Sequence, residues 1–290
     1  MKLATAVING KPTIGVIIGE TFFDLHAATN GSLPKTMLEA IRLGDDFIKK
    51  VTELQETMDG KGIPLSEIKL LAPIPRPAKN IFCVGKNYVD HAIEMGSKDD
   101  IPTAPMVFSK TPTTVIGPNE RIPLHKEVTE QLDYEGELAV IIGKRGKAIK
   151  REEAMDYVFG YTIINDVTAR DLQKRHKQFL IGKSLDGSCP MGPVIVHKSQ
   201  ITDPHDLKIV TKINGEVRQN ASTSQFIFDI PELISVLSKG MTLEPGDIIA
   251  TGTPSGVGAG FNPPKVLSAG DVVEITIEGI GTLANRVDTE

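Results

Sequence analysis

Apolar residues in this chain run in short blocks, mostly four to eight long, separated by Asn-Gly, Gly and Pro. Residues 4–8 and 13–18 flank Asn9-Gly10, and residues 207–213 and 216–219 flank Asn214-Gly215. Asn-Gly accepts positive φ at both central turn positions, so each set reads as a tight β-hairpin. Further strands are expected over 22–25, 81–84, 105–109, 113–116, 138–142, 157–164, 247–250 and 271–277. Helical spacing of apolar residues marks 37–43 and 47–58, and shorter charged helices are expected over 150–156 and 168–176. Another helix opens at Asp229, with a capping acid and Pro231 in its first turn, and ends at Gly240. The run Ala72-Pro73-Ile74-Pro75-Arg76-Pro77 cannot be helical, so it divides a small N-terminal α+β unit, residues 1–72, from a larger unit, residues 73–290. Many short strands, hairpin turns and few helices predict a mixed β (α+β) fold.

Composition narrows the partners. A net charge of −5 gives no electrostatic footprint for nucleic acid or an anionic membrane. No stretch approaches eighteen apolar residues, and Met1-Lys2-Leu3-Ala4-Thr5 lacks an apolar core of the kind that targets a chain for export, so a cytoplasmic location is the expectation. Cys83 and Cys189 stand far apart and outside any C-x-x-C, which argues against a disulfide framework or a thiolate zinc site. His26 has no chemical partner in its local sequence and reads as structural or surface, while His125, His176 and His205 read as surface or solvated residues.

The chemistry concentrates between Asp133 and Lys183. Glu135 and Glu137 stand at the entrance of the apolar run Leu138-Ala139-Val140-Ile141-Ile142. A strand's period of two puts both carboxylates on one face, about 7 Å apart at ~3.4 Å per residue. Acids that close repel each other unless a cation lies between them. Asp166 ends a second apolar strand and supplies a third carboxylate. Hard oxygen donors without His or Cys suit Mg²⁺ or Mn²⁺ better than zinc. Earlier in the chain, His91 and Glu94 stand three apart, neighbours on one face if helical. A carboxylate beside an imidazole orients it and raises its basicity, as a general base requires, though the same pair also suits an exposed loop. Ser97-Lys98-Asp99-Asp100 after it reads as a flexible segment. Lys183, in Gly182-Lys183-Ser184, does not complete a phosphate loop, because the glycine needed five positions before Gly182 is Lys177.

Glu135-Gly136-Glu137, then Asn165-Asp166-Val167-Thr168-Ala169-Arg170-Asp171-Leu172-Gln173, then Gly182-Lys183-Ser184, resembles the fumarylacetoacetate hydrolase family. Thr251-Gly252-Thr253-Pro254-Ser255-Gly256-Val257-Gly258 is similar to that family's substrate-binding loop, and the resemblance spans roughly residues 75–288. It implies a β-sandwich-like roll, a Mg²⁺ or Mn²⁺ ion on Glu135, Glu137 and Asp166, and a small oxo acid as substrate. It further implies that His91 and Glu94 form a dyad on a lid, that Lys183 and Gln173 bind or polarise substrate oxygens, and that Thr253 holds the substrate carboxylate. Arg170 either pairs with a carboxylate of the substrate or serves as an ion-pair partner of a nearby acid. A homodimer is also implied. In the long-form fumarylacetoacetases a further carboxylate ligand stands seven residues before the histidine. Here that position is Val84, which directs the resemblance to the short-form acylpyruvases, oxaloacetate decarboxylases and related isomerases. The expected activity is therefore C–C hydrolysis of an acylpyruvate-type 2,4-dioxo acid through a metal-stabilised enolate. The alternatives are decarboxylation of oxaloacetate or isomerisation of a hydroxydienedioate on the same site. The alternative from another class is a dicarboxylate binder without catalysis, against which the paired His91 and Glu94 argue.

Overall fold

The computed structural model describes residues 1–56, 58 and 62–289. Its centre is a twelve-stranded mixed sheet. Along the main path the order is Ile63–Pro64, Thr21–Asp24, Lys11–Ile18, Lys2–Ile8, Cys189–His197, Val158–Asn165, Gly136–Ile142, Ile248–Ala250, Ile81–Gly85 and Met106–Lys110. A five-stranded sheet, Glu216–Ser222, Lys208–Ile213, Val272–Ile277, Gly281–Asp288 and Arg121–Pro123, packs against one face. Both expected hairpins form, with φ of 49° and 74° at Asn9 and Gly10 and of 52° and 81° at Asn214 and Gly215.

The Gly136–Ile142 strand is buried on both sides, which explains its unbroken apolar run. Leu138, Val140 and Ile142 join Ile209, Ile275 and Leu283 in the core between the two sheets. Ala139 and Ile141 point the other way, toward a second core closed by Met37, Ala40 and Ile41 of the Met37–Leu43 helix and by Phe47 and Val51 of Asp45–Gln55. The helix expected over 47–58 thus starts two residues earlier and ends at Gln55; residue 57 lies outside the described residues. Thr36 opens the first of these helices with a complete capping box to Glu39. The helix Ile230–Ser238 inserts Ile230, Leu233, Ile234 and Leu237 into the inter-sheet core at helical spacing.

Three further expectations change. The strand expected over 113–116 is reduced to Val115–Ile116, behind a 3-10 turn at Pro112–Thr114. The helix expected over 168–176 begins only at Arg170, because Thr168 and Ala169 pair with Asp133 and Leu132 in a two-stranded ladder. The segment expected as a helix over 150–156 is a 3-10 turn, Arg151–Tyr157. The strands Cys189–His197 and Gly281–Asp288 lie outside the elements the sequence predicted. The ladder between Lys2–Ile8 and Cys189–His197 pairs Leu3 with Ile195 and so crosses the proline-rich connector at 72–77. No helix among the described residues is long and apolar enough to cross a membrane.

Candidate active site

The three acids reach one point by strand parity. Gly136 pairs with Asn165 and Glu137 with Ile164. Glu137 shares its face with Ala139 and Ile141, and Asp166 continues the face of Ile164. Two bonds lock the strand ends: the Glu135 N–H donates to Asn165 Oδ1 at 3.0 Å, and the Asp166 N–H donates to the Glu135 carbonyl at 2.9 Å. One oxygen from each of Glu135, Glu137 and Asp166 then lies within 4.8 Å of the others, and all three residues are buried.

Three cations surround them. Lys183 Nζ stands 2.7 Å from Glu135 Oε2 and 2.8 Å from Asp166 Oδ2. Arg170 Nη1 stands 2.7 Å from Glu135 Oε1. Lys110, wholly buried, lies 2.9 Å from Asp166 Oδ1 and donates to the carbonyls of Val167 and Lys183. Burial alone would raise the Glu135 carboxyl, but Lys183 and Arg170 pull it down to about 2. Glu137 moves the opposite way, well above the ordinary carboxylate range, through burial and the nearby charges of Asp166 and Glu135. Its donor is the Gly252 N–H at 2.8 Å. This set fits a hard divalent cation: oxygen donors only, converging, with one carboxylate repelled by two others and short of positive charge.

A cavity of about 370 Å³ opens onto the cluster. Glu135, Glu137, Arg170, Gln173, Lys183, Thr253 and His91 all line it, so the structure brings these predicted residues to one space; Val84 adds an apolar wall. Two members of the predicted set stand behind the cavity wall: Asp166, 2.8 Å from Lys183 Nζ, and Glu94, which reaches the cavity through His91. His91 and Glu94 sit on the short helix Val89–Glu94, with His91 Nδ1 3.1 Å from Glu94 Oε2 and His91 buried. Since a carboxylate can only accept, Nδ1 carries the proton and Nε2 is the basic nitrogen. The polar run at 97–100 is folded as a turn, with Ser97 and Asp100 closing a capping box.

Arg170 serves its neighbours first. Nε donates to Asp133 Oδ2 at 2.8 Å and Nη1 to Gln173 Oε1 at 3.3 Å, while Nη2 is buried without a hydrogen-bond partner among the described residues. The Thr253 hydroxyl donates to the Gly136 carbonyl at 3.0 Å and accepts from Gln219 Nε2 at 2.7 Å. Sequence reasoning missed two members of the site. Lys110 was visible only as a residue between strands, and its acceptors lie 57 and 73 positions away. Asp133 stood in the stretch singled out, yet nothing local shows that it accepts from Arg170 and from the N–H groups of Gly258 and Ala259.

Residues 80–288 match the family described as fumarylacetoacetate (FAA) hydrolase C-terminal. The chain belongs to the fumarylacetoacetate hydrolase family. A curated relative, the oxaloacetate tautomerase YisK of Bacillus subtilis strain 168, is 58% identical over 99% of this chain and 100% of its own length. Among solved structures, the fumarylacetoacetate hydrolase of the psychrophile Exiguobacterium antarcticum superposes with a TM-score of 0.86 at 43% identity, covering 100% of both chains. The maleylpyruvate hydrolase of Sphingobium sp. SYK-6, in complex with manganese(II) and pyruvate, gives 0.82 at 32% identity, covering 100% of this chain and 99% of that one. The architecture of paired sheets around a central buried strand is therefore the family's fold, and the family's members include hydrolases, isomerases and tautomerases.

Proposed function

We propose that this chain is a divalent-metal-dependent enzyme acting on a small 2-oxo diacid of the oxaloacetate type, moving a proton between C3 and the 2-oxygen. One observation carries the reading: Glu135 and Glu137, which converge with the buried Asp166 behind them, line a single cavity with His91, Arg170 and Lys183. The relative named as an oxaloacetate tautomerase, and the neighbour holding manganese and pyruvate, support it. Mg²⁺ or Mn²⁺ on the triad would supply Lewis-acid polarisation of the 2-oxo group, which lowers the cost of removing a C3 proton.

The chain's own residues supply the rest. The buried, unpartnered Arg170 Nη2 is a donor suited to a substrate carboxylate. Burial alone would lower the Lys183 pKa, but Asp166 and Glu135 hold it above the usual lysine value, so Lys183 donates to substrate oxygen rather than acting as a base. His91 Nε2 takes the C3 proton, and the C–H electron pair becomes the second C2–C3 bond as the C2–O π pair moves onto the 2-oxygen. That oxygen takes the proton back from the His91 imidazolium, so no net proton is gained or lost. Glu94 keeps the imidazole in the required tautomer. Hydrolysis of an acylpyruvate is the second reading, because the same dyad can activate a water and two structural neighbours are named as hydrolases.

Purified protein loaded with Mn²⁺ should speed the keto–enol approach to equilibrium of oxaloacetate, read by ultraviolet absorbance. His91→Ala should cut that rate by ~10²–10⁴-fold with Mn²⁺ affinity unchanged. No acceleration over buffer would sink the tautomerase reading, and turnover of acylpyruvates in its place would establish the hydrolase.

A further inference from the structure

One segment, residues 252–260, touches the acidic cluster, the cavity wall and the His91–Glu94 pair. The Gly252 N–H reaches Glu137, Thr253 lines the cavity, and the Gly256 N–H donates to Glu94 Oε1 at 2.9 Å. The segment is pinned from behind: Tyr134 Oη donates to the Gly256 carbonyl at 2.8 Å. Asp133 accepts from the Gly258 N–H at 2.7 Å, the Ala259 N–H at 3.0 Å and Arg170 Nε at 2.8 Å. The helix carrying His91 and Glu94 is only six residues long, too short to hold its own geometry in water.

We propose that Gly256 and Gly260 form a seat for the Glu94 carboxylate, and that docking in this seat holds the His91–Glu94 pair in register with Arg170. The inference rests on the proposed role of the dyad as the base. Gly256 provides the donor and sits at φ 102°, where an added Cβ would lie 1.9 Å from the Arg218 carbonyl. Gly260 provides the space. A Cβ there would lie 2.3 Å from Glu94 Oε1, 2.4 Å from Cδ and 2.6 Å from Cγ. Gly260 is not in the left-handed region, so alanine fits its backbone; what must yield is the flexible Glu94 side chain. The missing methyl group at Gly260 is thus a requirement of Glu94 and not of the loop. Through Asp133, the same loop sets the spacing between the seated carboxylate and the arginine offered to substrate. Gly256 and Gly260 are positioning residues, acting through Glu94.

The test is a double-mutant cycle on the Mn²⁺-loaded protein with Gly260→Ala, Glu94→Ala and the pair. Gly260→Ala should lower kcat as far as Glu94→Ala does, to within about threefold, with little change in KM, and should cost nothing further once Glu94 is alanine. Equal losses on both backgrounds would mean damage to the loop itself and overturn the seat, as would full activity in Gly260→Ala. Amide exchange at Gly256, followed by NMR, reads the seat without any substrate. Protection should fall in Glu94→Ala and in Gly260→Ala alike, and undiminished protection in either overturns the proposal. Because this arm needs no turnover, it decides the seat even if the protein proves inactive on oxo acids. Glu94→Ala alone suffices for it should Gly260→Ala not fold.

Discussion

Glu135 and Glu137 carry the same side chain two positions apart, and the interior treats them in opposite ways. Glu135 is matched by Lys183 and Arg170. Glu137 has a backbone N–H and two repelling acids. Removing each should therefore act differently on the metal-free protein. Glu135→Ala leaves two buried cations short of a partner, and breaking such pairs costs about 3–5 kcal/mol. Glu137→Gln removes a repulsion and should leave the urea midpoint unchanged or raised. Both variants, and Asp166→Ala, should lose Mn²⁺ binding in a calorimetric titration. Native-like affinity in any one of them takes that residue out of the metal set. The acids were legible in the sequence because strand parity is a local property: E-x-E at a strand entrance shares a face whatever lies beyond it. Lys110 and Asp133 were not, because their roles depend on pairings with segments that only the folded sheet brings near.

At the scale of elements, the Asn-Gly hairpins were readable from two residues each, while the Cys189–His197 strand was hidden by its own composition. Pro190, Gly192 and Pro193 argue against a central strand. The structure admits them because the ladder to Val158–Asn165 slips between Tyr161 and Ile163, so the stretch around Pro193 bulges out of the regular pairing. The strand ends on His197, a residue without a sequence signal, buried and edge-on to Phe159 at 5.4 Å between ring centres. Its Nδ1 stands 3.3 Å from the Ser199 N–H, which donates to it, so this nitrogen is unprotonated in the fold. Burial first, then the Lys198 and N-terminal ammonium groups, lower the His197 pKa to about 4 against some opposition from Asp45. Above about pH 6.5 the ring is neutral in folded and unfolded chains alike and contributes no pH dependence. Between 6.5 and 4 the unfolded chain binds a proton that the fold refuses, so stability falls as the pH falls. The urea midpoint of the native protein should drop more than that of His197→Phe between pH 6.5 and 4.5. Parallel curves over that interval would show that the ring accepts its proton without cost.

For the whole molecule, the sequence made the class of fold legible, since short strands and turn signals are counted locally. It did not show which strands are neighbours, and that bears on where the molecule can be cut. The proline-rich run at 72–77 looks like a boundary, yet Lys2–Ile8 is hydrogen-bonded to Cys189–His197, and Lys69–Leu71 to Lys2–Ile8 in turn. Leu3, Ile14, Val16 and Leu25 pack in one core with Ala139, Ile141, Ile164 and Ile195, the face from which Glu137 and Asp166 emerge. Exposing a fully buried side chain of this size costs about 1.5–3 kcal/mol. Uncovering Ile141, Ile164 and Ile195 together would consume much of the ~5–15 kcal/mol that stabilises a typical domain. A fragment of residues 73–290 should accordingly show no cooperative urea transition and no Mn²⁺ binding. Adding residues 1–72 as a separate chain should restore both in part, because the ladder between them needs no covalent link. A sigmoidal transition with native-like Mn²⁺ affinity in 73–290 alone would mean that the metal face holds its shape without the N-terminal strands, and that the connector marks a true division.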